Sequence, residues 1–433
     1  MPENYGTNTS GELAPITAGE RLLIIDILRG VAILGILLLN IDPYSFPFGF
    51  DSIYLAKFTG IADKIVYWGT QFLFQGRFAT MLTLLLGVGT AVQVARAQAR
   101  GKAFSPLYAR RMFFLLLIGV LHDLILWSGI ILPIFGTLGF ILLFFQNRKP
   151  RTLIVWLLIF WMVAPTILIV KIYMRPSHAP ERPAIQNAGA AEKQKQLEEQ
   201  QRKYDNIVKL YGEGDYTEMF RNRWEVFVKE TIPIIYRWGW MTVGVFLLGM
   251  WVWRRGILQD VEANIGFLKK VLWYSLILGV VGVSYSYLSR YLIKPSPSLF
   301  FIIGRTFIRQ VGTVSFTVFL MTVVVLLNRK DRWKKILKPL AAVGRMAFSN
   351  YVFQTVLCTT FFYAYGFGMF GKTGPVVNLL VVFIVWSIQV PLSVWWLRRF
   401  SFGPVEWLWR SLTYGRCQPM KRNGDGHRLG NKI

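Results

Sequence analysis

Long apolar stretches recur along the chain, and the polar positions inside them are few and regularly spaced. Ten of these stretches run about 16 residues or longer, near the length that spans a bilayer as a helix. They lie near 22–41, 78–95, 111–128, 131–146, 152–173, 237–254, 268–290, 308–328, 341–364 and 376–397. The first, from Arg21 to Ile41, carries Asp26, Arg29 and Asn40 within an otherwise apolar helix. At 3.6 residues per turn, Arg29 falls about 60° from Asp26 and Asn40 about 40° from it, on one side. Lipid would penalise such a stripe, so it must face protein or a polar chamber inside a bundle. Residues 65–77 are apolar and aromatic but hold Gln71, Gln75 and Arg77. That pattern predicts an outer interfacial or re-entrant helix packed on the second span. The expected fold class is therefore all-α, a polytopic membrane protein.

Charge sets the orientation. The 433 residues are 54% hydrophobic and 17% charged, with a net charge of +26. The basic residues gather in every second loop, around Arg96–Arg111, Arg148–Arg151, Arg254–Lys270, Arg329–Lys338 and after Arg398. This is the positive-inside pattern, and it places both termini in the cytoplasm of a multi-pass protein of the cell membrane. Basic groups set beside membrane spans, and not on a separable basic face, exclude nucleic acid as a partner; the bilayer is the expected one. The first 20 residues lack the basic n-region of a secretory signal. The chain divides into a tail (1–20), a five-span bundle (21–173), an outer loop (174–236), a second five-span region (237–415) and a tail (416–433). In the outer loop, the Pro-rich start with His178 and the charge run 192–203 read as solvated. After Asp215, a candidate N-cap, Tyr216, Phe220, Trp224 and Phe227 recur at helical spacing, which predicts an amphipathic helix on the outer leaflet or over the bundle mouth. Near the C-terminus, Pro404 opens a short helix in which Glu406 and Arg410 are spaced to pair, with Trp407 and Trp409 suited to the headgroup zone.

The candidate chemistry is sparse. Two cysteines and three histidines, all scattered, supply no disulfide framework and no metal site. No phosphate-binding glycine loop or serine elbow is present. His122, beside Asp123, lies deep in the third span. A neutral imidazole there can serve as general base, because its ordinary titration range lies near operating pH; a buried, satisfied histidine is the equal alternative. Arg345 opens the ninth span, and Asn350 and Gln354 share a face behind it. A guanidinium at that depth suits a phosphate or carboxylate, and it equally suits snorkelling to the headgroups. Asp26, Arg29 and Arg345 fall in the inner half and His122, Arg77 and Asn40 in the outer half. A reaction across the bilayer would use both: a cytosolic acyl donor such as acyl-CoA below, and an extracytoplasmic or lipid-linked acceptor above. A transporter of a small anionic or amphipathic molecule would use the same residues as its path, and a structural or sensory protein would use none. The enzyme reading expects Arg29 and Arg345 to converge on a roomy inner pocket joined to His122.

The stretch GRMAFSNYVFQTVL, followed by WSIQVPLSVWWLRRFSFGPVEWLWRSLTYGR, resembles the YeiB-like family of bacterial membrane proteins, whose C-terminal region is domain of unknown function 418. Matching positions include Gly344, Arg345, Asn350, Gln354, Gln389, Gly403, Pro404, Glu406, Trp407 and Arg410, and in the N-terminal half Asp26, Arg29, Gly30, Asn40, His122, Trp127 and Gly129. Two positions depart from the family pattern: Ile130 where an acidic residue is frequent, and Arg77 where Lys is favoured. The family is in turn similar to a wider group of ten- or eleven-span transmembrane acyltransferases. By that analogy His122 would be the base, oriented by Asp123, and Asp26, Arg29 and Arg345 would hold the donor, with no metal required.

Overall fold

The computed structural model describes residues 22–173, 190–291 and 299–421. The N-terminal tail, Arg21, the Pro-rich start of the outer loop with His178, and all but the first few residues of the C-terminal tail lie outside the described residues. The described chain is helical, without a named strand among the described residues. In order the helices are α1 (Leu23–Ser45), α2 (Asp51–Lys57), α3 (Ile61–Phe74), α4 (Arg77–Ala99), α5 (Ser105–Ile125), α6 (Ile131–Gly139, continued by a 3-10 turn to Phe145), α7 (Pro150–Tyr173) and α8 (Ala190–Glu213). Then follow α9 (Tyr216–Val226), α10 (Ile232–Arg254), α11 (Ile265–Tyr291), α12 (Leu299–Leu327), α13 (Asp331–Arg345), α14 (Ala347–Phe362), α15 (Pro375–Arg399) and α16 (Pro404–Tyr414).

Among the described residues, five helical runs are long and apolar enough to cross a membrane: Leu23–Ser45, Ile61–Ala99, Ile265–Ser289, Gly304–Leu327 and Pro375–Arg399. The second is 39 residues long because α3 and α4 run on from one another. Residues 65–77, expected as an interfacial or re-entrant helix, thus lie within this run, packed end to end with the second span. The break between the two helices is Gly76, whose φ of 77° lies in the left-handed region where a side chain is strained. The ninth expected span is also interrupted. Residues 341–345 finish α13, an amphipathic helix that turns its lysines out, and Met346 separates it from the 16-residue α14.

Contacts between elements sort the molecule into two ends. At one end the basic loops meet: Gln98 donates to Asn147 (3.1 Å), Arg254 to the Gln146 carbonyl (2.6 Å), and Trp409 of α16 to the Arg111 carbonyl (2.9 Å). At the other end lie the C-terminus of α1, the end of α5, the start of α15 and helices α8 and α9, here called the outer end.

Helix α1 is the axis of the bundle, touching α3, α4, α12, α13, α14 and α15. Its closest neighbour is α13, and glycine makes the approach. A Cβ at Gly30 would collide with the carbonyl oxygen of Leu340, and one at Gly344 with the carbonyl oxygen of Asp26. The two backbones are thus in direct contact, the small-residue packing that membrane helices favour.

Glu406 departs from its expected partner. Instead of pairing with Arg410, it caps α14: Oε1 accepts from the Phe348 and Ser349 backbone N–H groups (2.6 and 3.1 Å), and Oε2 accepts from the Ser349 hydroxyl. A carboxylate at a helix N-terminus satisfies donors that have no partner within the helix. Arg410 instead lies over the Phe402 ring, 4.8 Å from its centroid.

Candidate functional site

The outer end of α5 brings His122 and Asp123 against α14 and α1. The His122 Nε2 lies 3.0 Å from the Thr355 hydroxyl, which is 2.7 Å from the Tyr44 hydroxyl. The Tyr351 ring stands over the imidazole at 5.2 Å, and its hydroxyl donates to the Gly129 carbonyl (3.3 Å). Trp127 packs on Tyr44 with centroids 4.1 Å apart. His122, Asp123, Thr355 and Tyr44 are all buried, at 4%, 1%, 0% and 1% exposure.

This cluster is incompletely paired. The Asp123 Oδ1 is 3.6 Å from His122 Nδ1, too long for a hydrogen bond. Both Asp123 oxygens and His122 Nδ1 are buried without a hydrogen-bond partner. A buried polar group left in that state costs about 1–3 kcal/mol, and a charged one more, so its persistence calls for an explanation beyond packing. The neighbours also select a tautomer. A proton on Nδ1 faces the carboxylate favourably and leaves the Nε2 lone pair directed at the Thr355 hydroxyl. The result is a base aimed at a hydroxyl, with a carboxylate behind it.

The outer loop closes over this cluster. Asp215 caps α9 as expected, accepting from the Glu218 backbone N–H (2.9 Å). Arg223 of α9 is 1% exposed and donates to the Ile125 and Leu126 carbonyls (3.0 and 2.5 Å) at the very end of α5. Tyr216 adds a bond from its hydroxyl to the Ile125 carbonyl (2.7 Å), and α8 is tied down by the Ala364 N–H donating to the Tyr211 carbonyl (2.8 Å). The aromatic stripe of Tyr216, Phe220 and Trp224 is exposed, while Met219 and Arg223 face inward. Arg223 was not legible as a site residue. The only signal was its position seven residues after Tyr216, two turns along one face, in a loop whose charges balance.

The other sequence candidates separate into distinct places. Asn350 and Gln354 lie on α14 facing α1 and α15. The Gln354 Nε2 donates to the Ile33 carbonyl (3.1 Å) and to Gln389 Oε1 (2.9 Å); Gln389 donates to the Asn350 carbonyl (2.9 Å). Asn350 donates to the Val343 carbonyl (3.1 Å) and to the Ser393 hydroxyl (3.0 Å). Their hydrogen bonds are spent on neighbouring helices. Arg77 is buried with its guanidinium on the Phe72 (2.9 Å) and Gln75 carbonyls, closing the C-terminus of α3. It shares no described hydrogen bond or ion pair with His122. Asn40 is half-buried on α1.

At the inner end Arg29 pairs with Asp26 at 3.4 Å and keeps 34% of its side chain exposed. Arg345 ends α13, half-buried. Two described clefts lie apart from Arg29 and Arg345. An inner cleft of about 440 Å³ is lined by Gln98, Gln146, Asn147, Trp253, Arg254 and Gln259, among others, and a small outer one of about 10 Å³ by Asp42 and Thr70 with apolar neighbours. Neither lining includes Arg29, Arg345 or His122. Among the described residues no cluster of side chains suits a metal ion.

Comparison with known proteins gives a consistent result. Residues 252–416 match the family described as protein of unknown function, DUF418. Over almost its whole length the chain is similar to the uncharacterized protein YxaH of Bacillus subtilis (strain 168), at 32% identity over 95% of this chain and 98% of that protein. It is also similar to the uncharacterized protein YeiB of Escherichia coli (strain K12), at 28% identity over 92% of this chain and 98% of that one. An uncharacterized 39.9 kDa protein of Bacillus acidopullulyticus is 25% identical over 95% of the chain and 99% of its own length. No solved structure matches.

Proposed function

This chain belongs to the DUF418 family, and from that premise we propose that it is a membrane-embedded acyltransferase, with ten spans and both termini in the cytoplasm of a cell-membrane protein. It moves an acyl group from a cytosolic thioester donor such as acyl-CoA to a hydroxyl of an extracytoplasmic or lipid-linked acceptor. One observation carries the reading: a buried imidazole whose Nε2 faces a hydroxyl at 3.0 Å, beside a buried carboxylate 3.6 Å from its Nδ1.

The acceptor hydroxyl takes the place that Thr355 occupies beside Nε2. His122 removes its proton, the oxygen bonds to the acyl carbon, and the carbon–sulfur bond breaks; the departing thiolate takes the proton back from Nε2. Asp123 stabilises the imidazolium formed between these steps, which a buried cation requires. Access to the acceptor needs α8 and α9 to lift from the end of α5. Donor phosphates are held at the inner end by Arg29, positioned by Asp26, with Arg345 beside them. The two ends are joined along α1, which carries Arg29 at one and Tyr44 at the other.

The test has two parts. Purified protein is screened for thermal stabilisation by a panel of acyl-CoAs, and acyl transfer is then measured with the stabilising donor. His122→Ala lowers transfer about 10²–10⁴-fold with unchanged folding and donor stabilisation. Undiminished transfer removes His122 from the mechanism. Absence of transfer with every donor, together with saturable movement of an anionic solute across vesicles, replaces the enzyme by a transporter.

A further inference from the structure

The arginines that sequence pattern singles out at the inner end are Arg29 and Arg345, but packing brings a different one to Arg29. The Nη2 of Arg29 lies over Gly89 of α4, where a Cβ would come within 3.2 Å of it. One turn on, Gln93 donates to the Gly89 carbonyl (3.0 Å) and accepts from Arg111 Nη1 of α5 (3.3 Å). Arg29 and Arg111 therefore flank the same turn of α4.

Arg111 is held in place without a carboxylate. Its guanidinium stacks on Trp409, 4.2 Å from the ring, and Trp409 fixes the backbone of Arg111 by donating to its carbonyl (2.9 Å). The Nε of Arg111 is buried with no hydrogen-bond partner. No described ion pair involves Arg111, and Asp26, at 3.4 Å from Arg29, is the one carboxylate paired within this group. Glu406, the nearby acid of α16, spends both oxygens on α14. Two guanidiniums from different helices, one preset by stacking and one partly exposed, are left with a single negative charge between them. Two guanidiniums against one turn of α4 favour an anion between them, and paired forks of N–H donors match the oxygens of a phosphate.

We propose that Arg29 and Arg111, with Gln93 and Trp409 positioning Arg111, form a clamp for a phosphate or diphosphate group at the inner membrane surface. This deepens the acyl-transfer reading, on which it rests for its purpose: the diphosphate of a nucleotide-bearing thioester donor is one source of that chemistry. An anionic phospholipid headgroup is the other.

Binding alone tests the clamp, apart from any activity. The full chain in phosphatidylcholine nanodiscs is titrated with inorganic pyrophosphate by calorimetry, and the titration is repeated in nanodiscs containing phosphatidylglycerol. The expected result is one saturable site, weakened tenfold or more by Arg29→Met or Arg111→Met and about threefold by Arg111→Lys, which keeps the charge but loses the planar fork. Gln93→Leu removes the hydrogen bonds to Arg111 and to the Gly89 carbonyl while leaving both arginines in place, and serves where an arginine variant does not fold; it weakens binding severalfold. Competition by phosphatidylglycerol identifies a lipid headgroup as the occupant, and equal binding in both discs identifies a soluble phosphate. His122→Ala leaves pyrophosphate binding unchanged, so the clamp stands even where acyl transfer fails. No saturable site in the wild-type chain, or undiminished binding in both Arg111→Met and Gln93→Leu, overturns it.

Discussion

Two polar clusters sit on neighbouring faces of α14, and satisfaction of their hydrogen bonds separates them. Around Asn350 and Gln354 the amide N–H groups reach carbonyls or side-chain oxygens of α1, α13 and α15. Around Thr355 the hydroxyl bridges His122 and Tyr44, while Asp123 and one imidazole nitrogen find no partner. The first cluster is glue between helices, because every bond it makes is to an element that must stay where it is. The second holds unspent polar capacity in a sealed space, which contributes nothing to the fold and is useful only when something else enters. Burial does not separate the two, since Gln354 and His122 are 2% and 4% exposed; satisfaction of hydrogen bonds does.

The contrast is sharpest under substitution of adjacent residues. Gln354→Leu strands the Ile33 carbonyl and Gln389 Oε1, and it is expected to cost about 2–3 kcal/mol of stability, read as a lowered melting temperature. Thr355→Val keeps the shape and is expected to cost about 1 kcal/mol or less, with acyl transfer retained because the acceptor hydroxyl replaces that of Thr355 beside Nε2. A reversed pattern, with Thr355→Val the more destabilising, would make the His122 cluster the structural one.

A smaller effect is expected at the cover. Arg223→Met leaves the Ile125 and Leu126 carbonyls without their charged donor, a local loss of about 1.5–3 kcal/mol. Hydrogen exchange should then quicken in 190–226 and at the end of α5, with α14 and α15 unaffected. Equal quickening throughout would mean that α9 is part of the core and not a cover.

The smallest effect concerns pH at the inner end of α14. Burial raises the Glu406 carboxyl above its ordinary value of 4.5, although the bonds from Ser349 and Phe348 oppose it. A carboxyl raised in the folded state favours the protonated form. Its contribution is full below the ordinary glutamate value and is lost as pH rises through the raised one. Melting temperature should therefore decline over that interval in the wild-type chain, and Glu406→Gln should flatten the decline.

Much of this was legible beforehand, and the remainder was hidden for definite reasons. The helix that carries Asp26, the burial of His122 and the cap at Asp215 follow from local pattern. Whether Gln354 is spent or available depends on the Ile33 carbonyl, a backbone atom more than three hundred residues away that carries no signature in the sequence. The break at Met346 was missed because apolar residues continue through it. Arg111 was read as one of many loop cations, since only packing reveals Trp409 beneath it. Pairing of Glu406 with Arg410 was a sound expectation for an isolated helix, but the bare N-terminus of α14 offered more.

The glycine contacts between α1 and α13 have a mechanical consequence. With Gly30 under Leu340 and Gly344 under Asp26, neither helix can slip along the other without a backbone collision. Helix α13 carries exposed lysines and, at Trp333 and Ile336, exposed apolar surface, the composition of a float resting on an anionic leaflet. Any larger side chain at Gly30 or Gly344 must therefore part α13 from α1, and with it the lysine-bearing surface from the axis of the bundle.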